Sequence, residues 1–296
     1  MIPYFSGGGV SGTWQEVNEL LLRHGAARCL SFAYRECVRP YCALARSLGV
    51  RARLMLDSGG FTAWTLGTEI DLDALSATFA GLLDDYGDLC DFVLISLDEI
   101  PAHKGIDPTQ EQIARAIERS RANFDILRRE FAEKVLPVFH QNEPLEYFDK
   151  LVGESNYIAL SPRNDRAERW RVRWAEHVSA RAPPCRFHGL ATHGYDMMRK
   201  VEWYSADSAS WVRTAANGSI YWPSATKLQK LAVSTLSPAL KNYGAHIDHL
   251  KPNVKRRVID VIQARGYSLA ELQTDDGARY RWNAEHLLEH PQNPHF

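Results

Sequence analysis

Three aspartates in this 296-residue sequence stand where apolar, β-prone runs end, and carboxylates so placed invite a chemical reading first. Asp57 closes Leu54-Met55-Leu56 and is followed by Ser58-Gly59-Gly60-Phe61. Asp98 ends the run from Asp91 to Leu97 and is joined to Glu99. Asp207 follows Trp203-Tyr204-Ser205-Ala206 and has Ser208 and Ser210 beside it. Each has a plain explanation taken alone. Asp57 reads equally as part of a tight turn capping the next helix, Asp98-Glu99 as partners of a rim arginine, and Asp207 as a helix N-cap. On one rim together they raise the electrostatic free energy unless a ligand or hydrogen-bond donors engage them. Two carboxylates across a sugar suit substitution at an anomeric carbon. One attacks C1′, the other handles the proton, and a covalent glycosyl intermediate links the steps.

The elements that must position these residues alternate along the first two thirds of the chain. Short apolar runs predict strands at Ile2-Ser6, Cys29-Tyr34, Arg53-Asp57, Asp91-Asp98, Val135-His140, Tyr157-Ser161, Arg186-Ala191 and Trp203-Asp207. Thr13-Trp14-Gln15-Glu16 reads as a capping box opening a helix that carries Leu20 to Leu22. Asp71 to Tyr86 reads as an amphipathic helix. Asp107-Pro108-Thr109-Gln110 reads as a helix start with Asp107 as N-cap, the helix running to about Phe131. This alternation predicts an α/β fold, a (β/α)8 TIM barrel with a C-terminal helical extension. A doubly wound sheet is the competing arrangement, but only a barrel brings so many polar strand ends to one rim. Further on, Ser224 to Tyr243 and Lys251 to Arg265 read as helices, followed by a polar tail with Pro291 and Pro294. The expectation is one domain over residues 1–296, its barrel core at about 1–245 and its helical appendage at about 246–296.

Composition bounds the function classes. The 35 Lys and Arg nearly balance 36 Asp and Glu, so any polyanion must be met by a local basic stripe, not by overall charge. Arg163, Arg166, Arg169, Arg171 and Arg173, interleaved with Trp170 and Trp174, form one such cluster; Lys251, Lys255, Arg256 and Arg257 form another. Both read equally as solvated helix faces. The five cysteines are odd in number and form no CxxC, which argues against a disulfide framework or a structural zinc. No run is long and apolar enough for a membrane span and no signal peptide is visible, so a cytoplasmic protein is expected. Ser6-Gly7-Gly8-Gly9 lacks the Lys-Ser/Thr of a P-loop and reads as a turn or a phosphate cradle. His140 and His188 end strands without a third metal ligand at a recognisable spacing.

These motifs, in this order, resemble those of the tRNA-guanine transglycosylases. Asp57-Ser58-Gly59-Gly60-Phe61 looks like that family's DSGGF/Y motif, and Leu97-Asp98-Glu99 like its strand-ending acidic step. Pro137-Val138-Phe139-His140-Gln141 is similar to the strand supplying a base-contacting glutamine, and His188-Gly189-Leu190-Ala191 to its GGLA segment. The resemblance spans about Arg53 to Trp211. It implies a pentosyltransferase with Asp207 as nucleophile and Asp57 as general acid/base. It further implies that Asp98 accepts from the guanine N1–H and amino group, that Gln141, Gly189 and Leu190 contact the base, and that Phe61 stacks on it. Ser58, Gly59 and His140 would support the pocket.

The tRNA enzymes carry a CxCxxC and a later His that hold zinc, whereas the last cysteine here, Cys185, precedes Asp207. The chain therefore resembles more closely the compact zinc-free DNA 7-deazaguanine transglycosylases of phages and mobile islands. That resemblance implies DNA and a free 7-deazaguanine such as preQ0 as partners, accessory proteins of a DNA-modification pathway, host cytoplasm if phage-encoded, and no metal or cofactor. A zinc-free tRNA base exchanger, an N-glycosidic hydrolase and a non-catalytic nucleic-acid- or deazaguanine-binding barrel are the alternatives.

Overall fold

The computed structural model describes residues 1–103, 105–192, 194–222, 229–242, 244 and 246–289. Parallel strands alternate with helices from the start. The strands are β1 (Ile2–Ser6), β2 (Ala27–Ser31), β3 (Ala52–Asp57), β4 (Cys90–Ile95), β5 (Val135–Leu136), β6 (Val138–His140), β7 (Tyr157–Ser161), β8 (Arg186–Gly189) and β9 (Ser205–Ser208). Their spatial order is β5-β4-β3-β2-β1-β9-β8-β7-β6. β5 and β6 are one strand interrupted by Pro137. Its first half bonds to β4 and its second to β7, with Pro137 O accepting from Ala159 N at 2.9 Å. The ring is thus an eight-stranded α/β barrel.

The helices are α1 (Trp14–Arg23), α2 (Val38–Leu48), α3 (Gly60–Leu66), α4 (Leu72–Tyr86), α5 (Gln110–Phe131), α6 (Leu145–Glu154), α7 (Glu168–Arg181), α8 (Tyr195–Lys200), α9 (Ser210–Ala216), α10 (Pro252–Ala264), α11 (Leu269–Thr274) and α12 (Asp276–Glu289). Contacts divide the chain into two compact units. Residues 1–6 and 25–208 form the barrel; residues 7–24 and 209–296 form the other.

Period-two alternation builds the barrel because successive strand residues face opposite sides. One parity fills the interior with Tyr4, Cys29, Met55, Ile95, Leu136, Val138, Tyr157 and Ala159. The other parity, including Phe139, Ile158, Leu160 and Phe187, packs outward with Phe148 and Leu151 of α6 and Val172 and Val178 of α7. Strands buried on both faces explain the unbroken apolar runs.

Several local expectations are corrected. β2 stops at Ser31, whose hydroxyl accepts from Ala33 N at 3.3 Å and turns Phe32–Cys37 into a 3-10 helix. β4 ends at Ile95, so Asp98 and Glu99 lie in the loop beyond it. Thr13 is already helical (φ −56, ψ −20) and makes no side-chain cap. The N-cap of α5 is Thr109, in a capping box with Gln112, while Asp107 receives Arg163 and Arg166. Within the expected helix 224–243, Gln229–Ala232 is a strand paired antiparallel with Ser219–Trp222, and Pro238–Lys241 is a 3-10 turn. Residues 223–228, Tyr243 and the polar tail lie outside the described residues.

In the second unit Gly8 has φ +88, and a Cβ there would stand 2.5 Å from the Trp14 ring. The glycine loop after Ser6 is thus a turn over which Trp14 packs. Ile220, Val233, Val258, Ile262 and Trp282 form this unit's apolar core. Asn283 ties it together, accepting from Tyr221 N at 2.6 Å and donating to Trp211 O at 3.1 Å. Among the described residues no helix is long and apolar enough to cross a membrane.

Candidate active site

The C-terminal strand ends carry a polar layer above the apolar interior. The β1–β2 and β2–β3 registers place Ser6 beside Cys29 and Ser31 beside Asp57. Asp207 shares the parity of Ser205, so it too points into the barrel.

Asp207 is buried and fully engaged. Its Oδ2 accepts from Ser6 Oγ at 2.6 Å; its Oδ1 accepts from Ala191 N at 2.7 Å and from His188 Nε2 at 3.3 Å. Burial works against its ionisation, but His188, Ser6 and the Ala191 N–H outweigh it and hold the carboxyl below the usual carboxylate range. The opposite ring nitrogen of His188 lies 2.7 Å from Ser205 Oγ, which lies 2.5 Å from Tyr157 Oη. His188 thereby links the Asp207 carboxylate through Ser205 to Tyr157.

Asp57 is in the opposite condition. Its Oδ2 accepts from Gly59 N at 3.1 Å. Burial lifts its carboxyl to about 6; the Ser31 hydroxyl pulls it back, and the negative charges of Asp98 and Asp207 add to the rise. The buried Cys29 thiol is pushed up by burial and then by the same Asp207 and Asp57. Asp98 and Asp207 thus both act on the charge of Asp57.

Asp98 accepts from His140 Nε2 at 2.8 Å; His140 is buried and Asp98 partly so. Burial opposes protonation of His140, yet the hydrogen bond and charge of Asp98 prevail and raise it. Glu143, holding His140 N–H at 2.7 Å, is lifted by burial to about 7. Gly60 makes room for this pair, since a Cβ there would stand 3.1 Å from Asp98 O and 3.3 Å from its carboxylate. Glu99 turns away to Arg119 at 2.9 Å. A cleft of about 770 Å³ opens from Gly60 and Asp98 past Trp64, Glu99, Arg115 and Asn123, a size that suits a small ligand. Asp57 and Asp207 do not line that cleft.

The other expected contacts are placed as follows. Phe61 is half-exposed and tilted against Trp64. Ser58 is fully buried, its Oγ facing Gly60 N at 3.5 Å. Gly59 adopts φ +83, which favours glycine. The Gln141 amide is engaged by its neighbours: Oε1 accepts from Arg163 N at 2.9 Å, and Nε2 faces Trp170 O at 3.5 Å. Gly189 is buried against Thr192, and Leu190 is bound through its N–H to Leu160 O and through its O to Thr192 Oγ1. Sequence reasoning missed Ser6, Ser31, Ser205 and Tyr157 as partners of the site. Their inward parity was the available signal. Among the described residues, no group of three or more His, Cys, Asp or Glu is placed to hold a metal ion.

No protein-family model and no curated protein matches the chain. Among solved structures it is similar to a probable tagatose 6 phosphate kinase from Sinorhizobium meliloti 1021 (15% identity, TM-score 0.43, 97% of this chain and 85% of that one). It is similar also to a D-allulose 3-epimerase from Methylomonas sp. (10% identity, TM-score 0.43, 97% of each chain). At such identities and TM-scores neither likeness bears on activity.

Proposed function

We propose that this barrel is an enzyme exchanging the base at an N-glycosidic bond, replacing guanine in DNA with a 7-deazaguanine of the preQ0 type. The observation that supports this best is the opposed condition of two carboxyls in one mouth. Asp207 is held ionised, as a nucleophile must be, while Asp57 is raised towards neutrality, as a group that both gives and takes a proton must be. The ordered motifs shared with the transglycosylases point to the same pair. The absence of a CxCxxC after Asp207 favours DNA over tRNA.

In the first half-reaction an Asp207 oxygen attacks C1′. The bond from C1′ to guanine N9 breaks, its electron pair goes to the base, and Asp57 supplies the proton. In the second, Asp57 takes the N9 proton of the incoming 7-deazaguanine, that nitrogen attacks C1′, and the Asp207 carboxylate leaves. Asp98 accepts from the N1–H and amino group of either base with half-exposed Phe61 beside it, whereas the polar groups of Gln141 and Leu190, engaged within the protein, shape the pocket wall. The target nucleotide must be single-stranded or flipped out.

The test incubates the protein with DNA or tRNA and labelled guanine or preQ0. Label entering DNA, and lost in Asp207→Asn, is the expected result. Label entering only tRNA moves the substrate to tRNA. Base release without uptake makes the protein a hydrolase, and neither uptake nor release ends the enzymatic reading.

A further inference from the structure

Helix α7 presents an outward surface that the barrel mouth chemistry leaves unused. Trp170, in its first turn, is 51% exposed, an unusual position for so large an apolar ring. The guanidinium carbons of Arg169 and Arg173 each stand 5.6 Å from its ring centroid. These two arginines differ from the others nearby. Arg163 is matched by Asp107 and Asp165, and Arg166 by Asp107. Among the described residues Arg169 and Arg173 make no ion pair. Of the acids on α7, Glu168 turns to the backbone of Gly194, and Glu176 is half-buried.

The surface is fastened to the rim that carries the aspartates. Gln141, directly after β6, reaches the Trp170 carbonyl with Nε2 and the Arg163 N–H with Oε1. The residue before it, His140, is the partner of Asp98.

We propose that Arg169, Trp170 and Arg173 form a docking platform for single-stranded DNA, one base stacking on the indole and adjacent phosphates meeting the two guanidiniums. The proposal rests on reading the barrel as a DNA base exchanger. Its own support is charge complementarity: in a chain of formal net charge −1, two cations outside any ion pair stand beside an exposed aromatic ring. Stacking on tryptophan tolerates any base, and paired arginines follow a phosphate backbone.

The experiment measures binding of a fluorescent oligothymidylate by the full chain across a salt series, for wild type, Trp170→Ala, Trp170→Phe and the double variant Arg169→Glu/Arg173→Glu. The double variant is expected to bind at least about tenfold more weakly and to lose between one and two counterions from the salt slope. Trp170→Ala is expected to weaken binding by about fivefold or more at every salt concentration, with Trp170→Phe recovering most of it. Unchanged affinity in both the double variant and Trp170→Ala overturns the proposal, as does tighter binding of the matching oligouridylate or no binding by wild type. Base exchange is followed on the same samples. If wild type exchanges no base while the variants lose DNA affinity, the reaction fails and the platform stands. If the variants exchange with unchanged KM for DNA, the platform fails and the reaction stands.

Discussion

His188 Nε2 lies 3.3 Å from Asp207 Oδ1 while its Nδ1 lies 2.7 Å from Ser205 Oγ, so one imidazole fixes the carboxylate from below. His188→Ala is expected to raise the Asp207 carboxyl, moving the acid limb of the kcat/KM pH profile upward. His188→Gln, which keeps a donor near Nε2, is expected to restore much of the profile. A pH–rate series on labelled-base exchange checks both.

Asp57 carries a stability signature with a defined sign. Its carboxyl titrates near 3.8 in the unfolded chain and at about 6 when folded. Between these values the folded protein keeps a proton that the unfolded chain has lost. Stability therefore falls as pH rises through that window, by an amount on the order of 3 kcal/mol. Asp57→Asn is expected to melt above wild type at neutral pH, with the gap closing near pH 4, and to lose base exchange. Thermal unfolding at the two pH values is the measurement.

The Asp98–His140 pair gives Asp98 a structural part beside the base recognition proposed for it. Asp98→Asn is expected to weaken binding of free guanine by about tenfold or more and to destabilise the fold by about 1–3 kcal/mol. Because folding raises His140, its stabilisation is full below the unfolded histidine value near 6.5 and is lost as pH rises through the higher folded value. That loss is expected to disappear in Asp98→Asn. Calorimetric titration with the base and urea unfolding from pH 6 to 9 report the two effects separately.

Gly59 and Gly60 separate fold from site. At Gly59, φ is +83 and a Cβ would stand 3.1 Å from Ala33 N, so Gly59→Ala is expected to cost about 1–3 kcal/mol in urea unfolding. At Gly60 φ is unexceptional and the crowding falls on Asp98. Gly60→Ala is expected to lower base affinity with a smaller change in stability.

All eight barrel strands were legible in the sequence because their apolar runs are buried on both faces, and Ile2–Ser6 and Tyr157–Ser161 were placed to the residue. Their ends were less legible. Ser31 turns the chain with its own hydroxyl, and Asp98 stands three residues past β4, effects that hydrophobic pattern does not register. The aspartates announced themselves by position, but their partners did not. His188 and His140 read as rim histidines, and only parallel register across the ring brings them to Asp207 and Asp98. The 229–232 strand was missed because its pairing with 219–222 is a tertiary outcome that helix propensity does not foresee.

Pro137 has a mechanical consequence. Because β5 bonds only to β4 and β6 only to β7, what joins the two edges of the sheet at that point is covalent chain. Cutting the backbone there would turn a closed staved cask into a ribbon with two loose ends, one of them carrying His140. New termini introduced at Pro137 would therefore unfasten the barrel, whereas a nick between any other consecutive strands would leave every hydrogen-bonded joint of the ring in place.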